Sequence, residues 1–395
     1  MSELDLKLKV ASRRLLWRMG YTTRLDVPLR AFHTGQVTDS KRRSTAPQAF
    51  TDLDVLGLTL VGGSRVESAI VDCKTSLKGS TERMFWIRGV ADFFNADAAY
   101  MVRESEVSDA ARQLATRLGI SALTGPDVLT LEGLHQSHLP LSEEPYSWLF
   151  DHDHAASVLA AFNKLDKKLK PLLEYRQFDY WIYEEHRNPL QMVEHLRESA
   201  SLLDPANPIH LSLLLDCAWL YLLSICRAID NLRAAHLHDL DLGLQIYLLG
   251  GPSGFQEKQQ LAKLFKGLVE QDALPAGVHV EPLPEYFGLL RELTTRIYRR
   301  PGHALSTLRV LEIATTASII KRGADISCLR GEDPIPSKLA ADVLGFLVSA
   351  GGLHPNFRSR GRALLVGEGE ESTTSNAPGH NVGETNPGVT TREGH

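Results

Sequence analysis

The chain reads as an α/β N-terminal domain, a mixed central sheet flanked by helices, followed by an all-α domain. Three observations predict this. Up to about residue 132, short apolar runs of strand period alternate with amphipathic helical segments. From Pro145 to about Val366, almost every segment repeats its apolar residues at three and four. Pro- and Gly-containing turns such as Asp204-Pro-Ala-Asn-Pro208 separate those later segments. The expected divisions are 1–140 and 141–366, then a tail over 367–395 of Gly, Glu, Thr and Asn, expected to be disordered. No regular repeat supports a solenoid.

Residues 4–19 predict a helix, with Leu6, Leu8, Val10, Leu15, Leu16 and Met19 apolar, basic residues between them, and Gly20 as the stop. Tyr21 to Leu29 reads as extended. A polar, basic loop follows from Gly35 to Gln48. Strands are expected at about 52–61 and 66–74, joined by Gly62-Gly-Ser64 as a hairpin turn. Ser80 or Thr81 caps a helix from Glu82 to Phe94. Ala98 to Val102 is a short strand, Val107 to Leu118 a helix ended by Gly119, and Ile120 to Leu123 a last strand before Gly125-Pro126. Helices are then expected at 155–173, 189–203, 209–236, 257–270, 286–298, 304–321 and 337–349.

With 395 residues, 43% hydrophobic and 23% charged, the composition is that of a globular chain of two or more domains. A net charge of −5 argues against coating nucleic acid by bulk electrostatics. The first fifty residues nonetheless carry ten Lys/Arg against four Asp/Glu, a local excess suited to phosphate. Cys73, Cys217, Cys226 and Cys328 lack metal-ligand spacing and fit reduced thiols in a cytoplasmic protein. The N-terminus has no apolar signal core. Ile209–Ile229 is apolar but contains His210, Asp216 and Arg227, so a buried helix is expected and no membrane partner.

The chemistry concentrates at two strands. Asp54 lies in Thr51-Asp-Leu-Asp-Val, and Asp72 and Lys74 end Ala69-Ile-Val-Asp-Cys-Lys-Thr-Ser. Alternation along a strand puts Asp72 and Lys74 on one face and turns Cys73 away. Two carboxylates and an amine at one strand end suit metal-assisted attack on a phosphodiester: one cation bridges Asp54 and Asp72, and Lys74 holds the water or phosphate oxygen. The same residues also fit a plain turn at Asp52 and Asp54 with an exposed Asp72–Lys74 ion pair.

Motif and element order together resemble the PD-(D/E)xK nuclease superfamily, the restriction-endonuclease-like fold, most closely its Mrr-like and RecB-like branches. The resemblance covers roughly residues 4–132. It rests on Asp54, on Asp72-Cys-Lys74, on the polar pair Thr75-Ser76, and on the closing run Ala110-Ala-Arg-Gln-Leu-Ala-Thr-Arg-Leu-Gly-Ile120. It implies Mg²⁺ (Mn²⁺ as substitute) held by Asp54, Asp72 and the Cys73 carbonyl, with Lys74 stabilising the charge of the pentavalent phosphate. The implied substrate is DNA rather than RNA, with Thr75, Ser76, Lys78 and Arg83 as candidate nucleic-acid contacts. One position departs from the pattern. Mrr-like enzymes often carry a glutamate on the first helix about eleven residues before its terminal glycine, and here that position is near Lys9. A one-metal mechanism, or a nuclease fold kept for binding or assembly without catalysis, both accommodate that loss.

Other clusters carry less. Asp151-His-Asp-His154 and His236-Leu-His-Asp239 read as solvated helix ends, and Glu184-Glu-His186 lacks HExxH spacing. Gly250-Gly-Pro-Ser-Gly254 lacks the Gly-Lys-Ser/Thr of a triphosphate loop and reads as a connection between helices. Lys164–Lys170 is a helix with one cationic face, Arg296–His303 a basic stretch with a Pro-Gly break, and the aromatics from Tyr175 to Tyr183 are core. The helical domain is assigned to target selection or to oligomerisation with itself or a partner.

Overall fold

The computed structural model describes residues 3–30, 49–75, 80–104, 106–135, 147–182, 184–271, 282–321, 326 and 333–367. Among these, five strands form one mixed sheet in the order β1-β2-β3-β4-β5: β1 Thr22–Arg30, β2 Ala49–Val61, β3 Arg65–Lys74, β4 Ala98–Arg103 and β5 Ile120–Thr124. β1, β2 and β3 pair antiparallel, while β3, β4 and β5 pair parallel. The switch follows from the connections. A three-residue turn at Gly62–Ser64 can only reverse the chain, whereas the crossovers through α2 (Ser80–Phe94) and α3 (Asp109–Leu118) return it in parallel. Both crossovers place their helices on one face, where α2 packs on α3. The other face carries α1 (Glu3–Arg18) and α4 (Gly125–Leu134). Pro28 sits in β1, the edge strand, where a missing N–H costs no ladder bond.

The expected strands and helices of this region occur, with ends shifted by one to three residues. One further element, α4, begins at Gly125, directly after β5. Thr124 and Asp127 form its capping box, and Pro126 is tolerated in the first turn, where its absent N–H is unneeded.

The remainder is helical: α5 His152–Asn163, α6 Lys170–Glu174, a π turn Tyr175–Asp179, α7 Tyr180–Ile182, α8 Asn188–Ser199, α9 Pro208–Ala235, α10 Leu240–Leu248, α11 Gly251–Glu270, α12 Phe287–Tyr298, α13 Ala304–Ile320, α14 Ile335–Ala350 and α15 Asn356–Val366. The helix expected over 155–173 breaks after Asn163, because the Asp166 side chain captures the backbone N–H of Lys168 and starts a new turn. The Gly-rich run at 250–254 is mostly helix. Gly250 and Gly251 both take positive φ, 86° and 90°, and α11 starts at Gly251. Asp151 accepts from the N–H groups of Asp153 and His154 and so caps α5, which accounts for that acidic, His-rich cluster. Residues 35–48 and the 368–395 tail lie wholly outside the described residues, as do Cys328 and the expected boundary near 140.

α9 is the one described helix long and apolar enough to cross a membrane, and 83% of its most apolar window is buried inside the protein. Leu213, Leu214, Leu220, Leu223 and Cys226 on it are fully buried, packed by α13, α14, α10 and α8. It is the core helix of the helical part.

That part also completes the sheet's packing. Glu312 of α13 is buried and accepts from Arg13 Nη2 at 2.8 Å, Thr22 Oγ1 at 2.6 Å, Thr23 N at 2.9 Å and Thr23 Oγ1. Trp219 Nε1 of α9 donates to Thr22 Oγ1 at 3.0 Å, and Arg309 donates to the carbonyls of Trp17 and Tyr21. Gly63, with φ of 84°, sits against Pro301, so close that a Cβ there would lie 2.5 Å from the Pro301 Cβ. A glycine is required twice over, for conformation and for room.

Candidate functional site

α1 begins over the C-terminal end of β3, and its first turns bring Asp5 and Lys9 to the same opening as Asp26 of β1, Asp52 and Asp54 of β2, and Cys73 and Lys74 of β3. These residues line a solvent-open cavity of about 450 Å³. Four carboxylates face two ammonium groups there, so the cavity has an excess of negative charge.

The backbone opens it. β1 and β2 pair Leu25 with Val55 and then Val27 with Leu53, which leaves Asp26 and Asp54 opposite each other at an interruption of the ladder. Asp26 has φ of 52°, a left-handed conformation inside a strand that costs a non-glycine residue about 1 kcal/mol or more. The β2–β3 pairing stops at Val55–Val71, so β3 runs on beyond it without β2. Cys73 N donates to Asp54 Oδ2 at 2.7 Å instead of to a strand carbonyl. A strand residue's N–H and C=O leave on the same side, so the Cys73 carbonyl also faces this opening.

Lys9 is buried and its Nζ lies 2.8 Å from Asp54 Oδ1 and in contact with Asp26 Oδ1. Burial alone would lower its pKa, but the hydrogen bonds it donates to Asp26 and Asp54, with their charges, outweigh it and hold Lys9 above the ordinary lysine range. Asp72 is held from the other face. Arg83, in the first turn of α2, forks onto it with Nε–Oδ2 at 2.9 Å and Nη2–Oδ1 at 2.5 Å. The Arg83 guanidinium also stacks on Trp86, 3.4 Å from the ring centre. Lys74 Nζ is 3.9 Å from Asp72 Oδ1 and half-exposed.

The structure thus brings Asp54, Cys73 and Lys74 together at one cavity, while Asp72 is not among its lining residues and is engaged by Arg83. The shared-cation arrangement expected of Asp54 and Asp72 is not formed in this state, because each carboxylate already has a protein cation from opposite faces of the sheet. Of the expected nucleic-acid contacts, Thr75 donates to Asp5 Oδ1 at 2.8 Å and Arg83 serves Asp72. Ser76 and Lys78 lie outside the described residues. Among the described residues, no three His, Cys, Asp or Glu side chains are gathered closely enough to hold a metal by themselves. Mg²⁺ typically takes one or two carboxylates and completes its shell with waters and substrate oxygens. Asp54 and the Cys73 carbonyl would offer two such oxygens at this opening, while Asp72 is held by Arg83.

Sequence reasoning marked the Lys9 position only as a missing glutamate and passed over Asp26. A charged residue between Leu25 and Val27 in a strand was the available signal. Cys73 is buried 3.4 Å from Ser12 Oγ, and burial raises its thiol pKa, so its side chain is packing and not a nucleophile.

No family model, no curated protein and no solved structure matches this chain.

Proposed function

We propose that the N-terminal part is a metal-dependent nuclease of restriction-endonuclease-like fold, hydrolysing DNA phosphodiesters with one Mg²⁺. The observation that carries this reading is the acid-rich cavity with Lys74 on its rim. Four carboxylates against two ammonium groups repel a phosphate and attract a divalent cation. A divalent ion bound there would supply polarisation of the phosphate and of its attacking water. Asp54, the Cys73 carbonyl and Asp72 would hold the ion, and Lys74 would stabilise charge on the phosphoryl oxygens. The helical part serves target selection or assembly.

A second reading rests on Lys9. Its ammonium already bridges Asp26 and Asp54, so the fold could retain nucleic acid or a protein partner without cutting. The test is cleavage of plasmid, linear duplex and single-stranded DNA with Mg²⁺, Mn²⁺ or EDTA, using wild type, Asp54→Asn and Lys74→Ala. Metal-dependent cutting that both variants lose supports hydrolysis. DNA retained intact under every ion refutes it in favour of the second reading, and full activity of Lys74→Ala refutes the assignment of Lys74.

A further inference from the structure

A second cavity, of about 110 Å³, lies where β1 meets α5, the π turn, α9 and α13. Asp216 of α9 stands in its wall with two arginines on it: Arg24 Nη2 at 2.9 Å, and Arg176 Nε in direct contact. Two guanidinium groups on one carboxylate leave one positive charge unmatched. Of the other charges on this cavity, Arg13 pairs with Glu312, and Asp26 shares Lys9 with Asp54.

Both arginines are buried; Arg176 is 8% exposed and the Arg24 side chain 11%. The Nη1 atom of each is buried with no hydrogen-bond partner among the described residues. Buried polar donors are paired in all but a few cases, and this orphaned pair belongs to two arginines that line the cavity. The guanidinium planes are fixed by stacking, Arg24 on Trp219 at 5.2 Å and Arg176 on Phe162 at 4.3 Å. The π turn that carries Arg176 is a backbone irregularity found mostly at functional sites. Leu25, Val158, Leu159 and Phe162 give the cavity an apolar stretch of wall.

We propose that this cavity is a binding site for a small organic anion, whose single carboxylate or phosphate head meets Arg24 and Arg176 and whose short apolar body lies against Leu25, Val158 and Leu159. The cavity volume limits the body to a few carbons, since a space near 150 Å³ holds about one benzene. Asp26 borders both this cavity and the acidic one, two residues from Arg24 on the same strand. An occupant here therefore lies against the strand that shapes the candidate catalytic centre.

Calorimetric titration of the full chain with butyrate, monobutyl phosphate, acetate and inorganic phosphate tests it. Saturable one-to-one binding of a butyl compound is expected, roughly tenfold or more tighter than the matching headgroup alone, because each buried methylene is worth about fourfold. The preferred butyl compound identifies the head as carboxylate or phosphate. Arg176→Gln should weaken binding about tenfold or more. Val158→Trp, which fills the cavity from half-buried α5, should abolish it with the circular dichroism spectrum unchanged. Absence of saturable binding by either butyl compound, or binding that Val158→Trp leaves intact, overturns the proposal.

Discussion

Lys9 and Asp54 are joined across the sheet's open edge, Nζ to Oδ1 at 2.8 Å, and the same ammonium also binds Asp26. The first helix thus supplies a cation to a cavity whose four carboxylates would otherwise face Lys74 alone.

Replacing Lys9 by Met should cost about 3–5 kcal/mol in urea unfolding, because two adjacent carboxylates lose their buried partner. Millimolar Mg²⁺ should recover more stability in Lys9→Met than it adds to wild type. Equal Mg²⁺ responses would show that the ion does not compete for these oxygens.

Glu312 should be as sensitive. Glu312→Gln leaves the Arg13 guanidinium buried and uncompensated, and the expected loss is again about 3–5 kcal/mol. The double variant Arg13→Met with Glu312→Leu should recover part of it, because the pair couples. A double-mutant loss equal to the sum of the single losses would refute the coupling.

Acid sensitivity follows from His195 and His210. Burial holds both below the ordinary histidine value, and His210 Nδ1 accepts the Asp204 N–H at 2.8 Å, which needs the neutral ring. The unfolded chain therefore takes up protons first. Stability should be full above about pH 6.5 and fall as pH drops toward the lower folded values. His195→Phe should flatten that fall, and a urea midpoint constant from pH 7 to 5 would exclude the mechanism.

Gly63→Ala should destabilise by about 1–3 kcal/mol, from left-handed strain added to contact with Pro301. Gly89→Ala, in α2 with nothing within 4 Å, should instead gain about 0.5–1 kcal/mol. Thermal melts of the two proteins distinguish this from a general intolerance of the sheet to alanine.

Strand and helix positions in residues 3–135 were legible because apolar period and turn glycines are local signals, and β3 with its Asp-x-Lys end is a local pattern too. The Asp72 partner was not legible. Arg83 reaches it across the segment 76–79, and no spacing rule links a helix's first turn to a preceding strand end. Asp54 was placed in the right strand but not in its company, since the gap in pairing beyond Val55–Val71 and the left-handed turn at Asp26 depend on tertiary contacts. The junction of Glu312 with Arg13, Thr22 and Thr23 spans about 290 residues of sequence and leaves no periodic trace.

That junction also sets a timetable for synthesis. Arg13 and the threonines of β1 leave the ribosome early, yet their acceptor on α13 is made when most of the chain already exists. The first strand must wait in water for a late arrival. Nascent chains arrested before residue 312 has cleared the exit tunnel should stay open to protease at Thr22–Arg24, and those arrested well past it should resist.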